Sequence, residues 1–373
     1  MQTEIKKQNI KESKLPTAVI YCEGNFSHID GKTANGLIRC SKSYRIVSVI
    51  DSTKEGLDSG IILDNAINHI PIYQNLEKAV TFEKHIPDTF IYGLAPTNGK
   101  FSIIDRKVIL QAIELGMNIV SGLHEYLSDD SEIVKAAKLK NIKIRDIRKP
   151  KPSKDMKVFN GRVANIDAIK IAILGTDCAI GKRTTATILE KTLNEQGIKT
   201  ILINTGQTGL IQGGSYGIAL DAVPSQFCSG ELEKVIVEAF LTEKPRVILI
   251  EGQGALSHPA FCTSAFILRG SQPNAVILQH APKREYRCDF PNMPMPNVAD
   301  EILLIEKFAN TKVIGLTLNH EGMTTSETKQ AIIAYVTKFR LPVTDVLRSS
   351  AMDLVHTVLK AYPQLEKSSM QVA

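Results

Sequence analysis

The stretch ILGTDCAIGKRTT, Ile173–Thr185, decides the fold of the second half of this chain. An apolar run leads into Gly175, a glycine-rich turn follows, and helix-forming residues begin at Lys182. N–H groups at the start of a helix converge on an anion, the helix dipole adds partial positive charge, and a lysine supplies a mobile cation. The pattern predicts a phosphate-binding loop made of Gly175, Thr176, Asp177, Cys178, Ala179, Ile180, Gly181, Lys182, Arg183, Thr184 and Thr185.

Two details of this loop depart from the G-x-x-x-x-G-K-[ST] pattern. Five residues separate Gly175 from Gly181, a spacing that resembles the loop of dethiobiotin synthetase-like enzymes. Arg183 stands where a Ser or Thr hydroxyl normally holds Mg²⁺, although Thr184 and Thr185 follow at once. The loop is therefore expected to bind a pyrophosphate group, and no metal ligand is assigned. An ordinary strand–turn–helix with a solvated lysine is the alternative.

Apolar strands alternate with helical segments along the whole chain, beginning with TAVIYCEG at Thr17–Gly24. Strands that are apolar almost throughout indicate parallel sheets covered by helices on both faces. We expect an α/β protein with two doubly wound parallel-sheet domains, the first Rossmann-like and the second P-loop NTPase-like. The predicted boundaries are a polar tail over 1–16, a Rossmann-like domain over 17–147, a proline-containing basic linker over 148–165 and a P-loop domain over 166–373.

The composition limits the classes of partner. The 373 residues carry a formal net charge of +6 without a long basic stripe, so a small anionic molecule is expected as substrate in preference to nucleic acid. No segment approaches the roughly 18 uninterrupted apolar residues of a membrane span, so no membrane partner is expected. The six cysteines lack metal-like spacing, which is typical of reduced thiols and predicts a cytoplasmic protein. A homo-oligomer is left open.

Polar residues follow several predicted strands of the second half. Functional groups of α/β sheets gather at the carboxyl ends of strands. Glu251 ends one apolar strand, His258 follows in the next turn and His280 ends a further strand, which makes these three the candidate catalytic residues. The candidate substrate-binding residues lie next to the same strands and are Thr205, Gln207, Thr208, Asp221, Gln253, Arg269, Ser271 and Arg284.

Six stretches together resemble a known family: GTDCAIGKRTT, TGQTG, LDAV, EGQGALSHPAF, LRGSQPNAVILQHAPKR and, in the first half, KTANGLIR. They resemble the DgcN-like family, formerly a family of unknown function, whose members pair an N-terminal Rossmann-like domain with a C-terminal P-loop domain. The resemblance implies acetyl-CoA as donor and D-glutamate or a related amino acid as acceptor. One departure concerns the expected D-F-x-x-G-x-x-E stretch, where Gln226 replaces the aspartate while Phe227, Gly230 and Glu233 remain.

That reaction suggests roles for the candidate residues. His258 or His280 could remove a proton from the acceptor, with Glu251 orienting the base. Arg269 and Arg284 could hold carboxylates in paired hydrogen bonds. A covalent route through Cys178 is the less favoured alternative, because the sequence offers it no identifiable base.

Two other functions stay open at this point. An ATP-dependent ligase or kinase acting on a small carboxylate with Mg²⁺ shares the loop spacing. A non-catalytic nucleotide-binding protein would need the loop but not the histidines. The discriminating feature is the hydroxyl that Arg183 replaces.

Overall fold

The computed structural model describes residues 15–83 and 85–366, so the polar tail predicted over 1–16 lies outside the described residues up to position 14. The chain divides into two compact units. Unit 1 consists of Met1–Pro150 with Gln207–Gly214, and unit 2 of Lys151–Gly206 with Ser215–Ala373.

Unit 1 is a parallel sheet with helical crossovers. Its strands are β1 (Thr17–Tyr21), β2 (Arg45–Ile50), β3 (Ile72–Tyr73), β4 (Thr89–Tyr92), β5 (Asn118–Ser121) and β6 (Ile144–Asp146). Its first helices are α1 (Lys32–Arg39), α2 (Ser59–Asp64), α3 (Leu76–Glu83), α4 (Ile103–Glu114) and α5 (Ser131–Leu139). The strand order β3-β2-β1-β4-β5-β6 is that of a Rossmann fold, in which the order reverses beside β1.

Unit 2 is a larger parallel sheet. Its strands are β7 (Ile169–Gly175), β8 (Thr200–Asn204), β9 (Tyr216–Gly217), β10 (Val247–Glu251), β11 (Ala275–His280), β14 (Lys312–Leu318) and β15 (Val343–Thr344), and a separate antiparallel ribbon consists of β12 (Tyr286–Arg287) and β13 (Phe290–Pro294). Its helices are α6 (Lys182–Glu195), α8 (Ser225–Glu243), α9 (Thr263–Ser271), α10 (Val298–Ala309), α11 (Thr325–Phe339) and α12 (Met352–Ala361). The strand order is β15-β14-β11-β7-β10-β8-β9.

Successive residues of β7 face opposite sides of this sheet. Ile171 and Ile173 join a core with α6 and α12, whereas Ala172 and Leu174 join a core with α8, α9 and α10. A strand buried on both faces has no polar alternation, which explains why β7 is apolar from Ile171 to its end. The predicted α/β class with two doubly wound parallel sheets is confirmed.

The short helix α7 (Gln207–Ile211) belongs to unit 1, although it follows β8 in the sequence. Ile211 lies in the core of unit 1, and Gln212 donates to the carbonyl of Gly36 on α1 at 2.6 Å. Nothing in the sequence pattern anticipates this packing.

Among the described residues, no helix combines the length and the apolar character that crossing a membrane requires.

Candidate functional site

The predicted loop follows β7, which lies at the centre of the sheet of unit 2 between β10 and β11. The loop leaves the sheet at Gly175 and enters α6 at Lys182. Two of its residues have left-handed backbone, Ala179 at φ 49° and Gly181 at φ 99°. The tight path suits glycine at 181, since a side chain is disfavoured at such angles.

Side chains hold the loop carbonyls on one side. The carbonyls of residues 177–180 accept hydrogen bonds from Lys182, Arg284 and Asn319. In a planar trans peptide the N–H points away from the C=O, so the following amides face the other side. Within the described part of the chain, the amides of residues 179–181 donate no hydrogen bond. The loop therefore presents a concave set of donors, the arrangement that binds anions.

Lys182 is buried, and its ammonium donates to the carbonyl of Asp177. Burial lowers the pKa of Lys182, because the charged form loses its hydration. An anion bound at the loop would compensate this buried charge.

Arg183 reaches the end of β10. Its Nη1 lies 3.3 Å from Oε2 of Glu251 and donates to Oδ1 of Asn204 at 2.7 Å. The same Glu251 oxygen accepts from the amide of Thr205 at 3.0 Å. The guanidinium of Arg183 thus lies beside Glu251 at the end of β10, in the place where a Mg-dependent loop holds its metal ion.

Two threonine hydroxyls of the loop are already engaged. Thr176 Oγ1 lies 2.8 Å from Nδ1 of His280, and Thr185 Oγ1 donates to Oε1 of Gln279 at 2.6 Å. His280 is buried, and the loss of hydration lowers its pKa to about 4. His280 is therefore neutral at physiological pH and anchors the first residue of the loop.

Asp177 makes an ion pair inside unit 2 and leaves one oxygen unused. Its Oδ2 accepts from Nη1 of Arg284 at 3.1 Å and from the amide of Cys288 at 2.6 Å. Its Oδ1 is buried and lies 3.9 Å from Nε2 of His258, and neither atom has a hydrogen bond to any residue that the structure describes. Arg284 also donates to Glu321, so its charge is neutralised within the chain.

His258 is held in one orientation. Its Nδ1 accepts from the amides of Ala260 at 3.1 Å and Phe261 at 3.2 Å. The ring stacks on Phe261 at 4.6 Å and meets the edge of Phe290 at 5.3 Å. Burial first, and the charge of Arg287 second, lower the pKa of His258 below its usual value. His258 is therefore neutral, with its single ring hydrogen on Nε2.

Asp177, Cys178 and His258 bring three potential metal ligands within 4.8 Å of one another. A metal-bound histidine nitrogen must offer a lone pair. The lone pair of His258 lies on Nδ1, where two amides use it, so Nε2 faces the cluster as a donor. The residues present do not fit a metal ion.

Several predicted substrate residues lie at the strand ends. Gln253 donates to Thr205 Oγ1 at 2.9 Å, and Thr205 Oγ1 donates to the carbonyl of Glu251 at 2.9 Å. Asp221 lies in the turn that the hydrogen bond from Leu220 to the Thr205 carbonyl ties to β8.

Two predicted substrate residues, Arg269 and Ser271, are not brought to the loop. Arg269 is exposed on α9 above the ring of Phe308, and Ser271 donates to a carbonyl of its own helix, both close to the start of β11 rather than its end. Gln207 and Thr208 lie in unit 1, where both contact the hydroxyl of Thr33.

The segment over residues 226–233, which departs from the family pattern at Gln226, makes contacts that hold other parts of the backbone. Gln226 is exposed in the first turn of α8. Glu233 accepts from the amides of Asn160 and Val163, and Gly230 leaves room for the backbone of residues 157–159. The substitution of Gln226 therefore leaves these contacts intact.

Three residues outside the predicted set of site residues lie beside the candidates in the structure. Asn204 holds Arg183, Asn319 holds the loop, and the buried Arg287 has an Nη1 without a hydrogen bond in the described chain. A second arginine three residues after Arg284 was the available signal for the last of these.

The comparisons with known proteins agree with this architecture. Residues 157–355 match a domain of unknown function described as the DUF1611 P-loop domain, and residues 52–150 match the DUF1611 Rossmann-like domain. A D-glutamate N-acetyltransferase of Pseudoalteromonas sp. is 34% identical over 276 residues, 72% of this chain and 80% of the relative. One from Tritonibacter scottomollicae is 30% identical over the same shares.

A solved structure is similar over nearly the whole chain. The crystal structure of a DUF1611 family protein from Anabaena variabilis has a TM-score of 0.85 and 28% identity, and the match covers 92% of this chain and 99% of that one. The chain therefore belongs to the DUF1611 family, as its resemblance to the DgcN-like proteins predicted.

Proposed function

We propose that this protein transfers an acetyl group from acetyl-CoA to the amino group of D-glutamate or a related amino acid. The two relatives named D-glutamate N-acetyltransferase support this reaction class, because each is at least 30% identical over 72% of the chain. The structural observation that carries the proposal is the Arg183–Glu251 ion pair at 3.3 Å. It puts a side-chain cation where a Mg-ATP enzyme needs a hydroxyl and a metal ion.

Acetyl-CoA suits the loop because its diphosphate requires donors and positive charge but no metal. The amides of residues 179–181 and the ammonium of Lys182 would hold the diphosphate. The donor supplies a thioester carbonyl that an amine can attack.

The Mg-ATP alternative finds little support in the same residues. Arg183 offers no hydroxyl, and the hydroxyls of Thr176 and Thr185 are bonded to His280 and Gln279. The guanidinium of Arg183 also balances the negative charge of Glu251, which Mg²⁺ would balance in a Mg-ATP enzyme.

The test is turnover with acetyl-CoA and a panel of D- and L-amino acids in the presence of excess EDTA. Release of the CoA thiol and the mass of the N-acetylated product are measured together. We expect product with D-glutamate or a related amino acid, and a rate roughly 1,000-fold lower with Lys182→Met. ATP hydrolysis that requires Mg²⁺, without N-acetylation of any amino acid, would favour the ligase alternative and reject the proposal.

A further inference from the structure

Among the buried polar atoms that lack hydrogen-bond partners in the described chain, three in unit 2 belong to residues linked by close contacts. They are Asp177 Oδ1, His258 Nε2 and Arg287 Nη1, on residues that are 0%, 6% and 8% exposed. Native proteins rarely leave such atoms without a partner, so a group of them points to a ligand.

Contacts on both sides of Arg287 locate it near the other two residues. Its Nη2 donates to Oγ of Ser257, the residue before His258, at 3.1 Å. The next residue in the chain, Cys288, donates its amide to Asp177 at 2.6 Å. Asp177 Oδ1 and His258 Nε2 are 3.9 Å apart.

Each atom has a defined hydrogen-bonding sense. Asp177 Oδ1 accepts, because Oδ2 of the same carboxylate is ion-paired with Arg284. His258 Nε2 donates, because Nδ1 accepts from two amides. Arg287 Nη1 donates and carries positive charge. The complementary ligand has an amino group, a carbonyl oxygen beside it and a carboxylate.

We propose that these three residues form the acceptor subsite: Asp177 binds the amino group of the amino acid, Arg287 binds a carboxylate of the amino acid, and the Nε2–H of His258 donates to the thioester oxygen. This inference rests on the proposed acetyl transfer. It gives the carboxylate to Arg287 in place of Arg284 and makes His258 a donor instead of a base.

The 3.9 Å separation suits the attack. An amine that reacts with a carbonyl carbon approaches it to about 3–3.5 Å, so nitrogen and carbonyl oxygen are then separated by a similar distance. Hydrogen bonds of about 2.9 Å, one donated by the amine to Asp177 and one donated by His258 to the carbonyl oxygen, would hold these two atoms side by side.

The step balances without a further reactant. The acceptor ammonium loses one proton to water before attack, and its nitrogen then forms a bond to the acetyl carbon. The C–S bond breaks, its electron pair stays on the CoA sulfur, and the second proton passes from nitrogen through Asp177 Oδ1 to that sulfur. His258 stabilises the oxyanion by hydrogen bonding and keeps its proton.

Cys178 lies beside the proposed subsite. Its Sγ lies within 4.8 Å of both Asp177 and His258, and the residue is part-exposed. His258 cannot take a proton from the thiol, because the nitrogen that faces Cys178 already carries hydrogen. Cys178 is therefore given no part in the proton transfer, and alkylation of its thiol serves as a reporter of subsite occupancy.

The experiment uses Arg287→Gln, Asp177→Asn and His258→Asn in the full chain, with exposed Arg162→Gln and His356→Asn as matched controls. Asn at 258 keeps an acceptor for the two amides and removes the Nε2–H. KM for the amino acid, KM for acetyl-CoA and kcat are measured separately, with thermal unfolding as a check of folding. D-Glutamate binding is also measured in the absence of acetyl-CoA by two methods. One is a direct titration, and the other follows how far D-glutamate protects Cys178 from alkylation by iodoacetamide.

We expect Arg287→Gln and Asp177→Asn to raise the amino-acid KM roughly 10- to 100-fold at constant acetyl-CoA KM, the loss expected for a hydrogen bond to a charged group. His258→Asn should lower kcat roughly 100-fold or more. If Arg287→Gln does not fold, Arg287→Lys should still raise the amino-acid KM.

An unchanged amino-acid KM in folded Arg287 and Asp177 variants would overturn the subsite while acetyl transfer stands. If the wild type shows no turnover, D-glutamate binding that Arg287→Gln abolishes would support the subsite and reject only the transfer reaction. Neither turnover nor binding by the wild type would overturn both.

Discussion

Two loops occupy the same topological position in the two units. In unit 1, the loop after β1 ends in Gly31-Lys32-Thr33, and in unit 2, the loop after β7 ends in Gly181-Lys182-Arg183. Both follow a strand beside which the strand order reverses, where α/β proteins place ligands. Their hydrogen bonds differ completely.

The loop of unit 1 uses its amides internally. Asp51, buried at the end of β2, accepts from the amides of Gly24 and Phe26, and Asn35 accepts from Ser27. The amides of residues 28, 31 and 32 donate to carbonyls of the same loop. A phosphate would have to displace these bonds.

The loop of unit 2 has the opposite arrangement. Side chains hold its carbonyls, and the amides of residues 179–181 donate no hydrogen bond within the described residues. The comparison shows that a Gly-Lys pair after a strand is not sufficient to make an anion-binding loop. Anion binding depends on which side chains take the carbonyls and whether a carboxylate already fills the turn.

The largest expected effect comes from exchanging the two lysines for methionine. Lys182→Met should lower kcat/KM for acetyl-CoA roughly 1,000-fold, about 4 kcal/mol, because the buried diphosphate then loses the ammonium that compensates its charge. Lys32→Met, at the matching position of unit 1, should leave it unchanged. Equal losses in both variants would remove the functional distinction between the loops.

The second effect concerns the anchor of the unit 2 loop. The pKa of His280 is about 4 when folded, against about 6.5 when unfolded. The contribution of His280 to the free energy of unfolding is fully present above pH 6.5. It is lost as pH drops toward 4, because in that range only the unfolded chain binds the proton. The loss should be about 3 kcal/mol. Denaturant titrations across this range should show it, and His280→Asn should flatten the difference.

The third effect tests the carboxylate that fills the unit 1 loop. Burial alone would raise the pKa of Asp51, but hydrogen bonds from Thr53 and from the amide of Phe26 outweigh it and hold the pKa below its usual value. Asp51→Asn should destabilise by about 2 kcal/mol, because one of the two oxygens becomes a donor. Urea unfolding measures the loss. The KM for acetyl-CoA should not change, and a changed value would implicate unit 1 in donor binding.

The smallest effect concerns the side-chain cation. Arg183→Ser restores the hydroxyl of the Mg-dependent pattern beside Glu251. Mg²⁺ should then strengthen nucleotide binding about 10-fold, whereas it should have no effect on the wild type. Thermal shifts with ATP, with and without Mg²⁺, report the difference. A wild type that already responds to Mg²⁺ would contradict the account.

The sequence was sufficient for the fold because long buried strands are apolar throughout. Two-residue strands such as β3 and β9 have no periodicity to detect, and they were missed. The packing of α7 in unit 1 was also invisible, since Gln207 directly follows Gly206 of unit 2 in the chain.

Site residues could be predicted where their position at a strand end follows from the sequence pattern. They could not be predicted where their role depends on the direction of a side chain or a backbone amide in the folded chain. The loop and Glu251 lie at strand ends that the pattern identifies. Arg269 and Ser271 precede a strand, so they lie near its start. The hydrogen on Nε2 of His258 depends on two backbone amides whose direction only the folded turn fixes.

The most direct measurement is a calorimetric titration of the wild type with acetyl-CoA in excess EDTA, followed by the same titration with Mg²⁺. The account predicts binding of equal affinity in both, since Lys182 and the loop amides hold the diphosphate and Arg183 neutralises Glu251 without a metal ion. Absence of acetyl-CoA binding, or binding that appears only with Mg²⁺, would contradict a metal-free diphosphate loop.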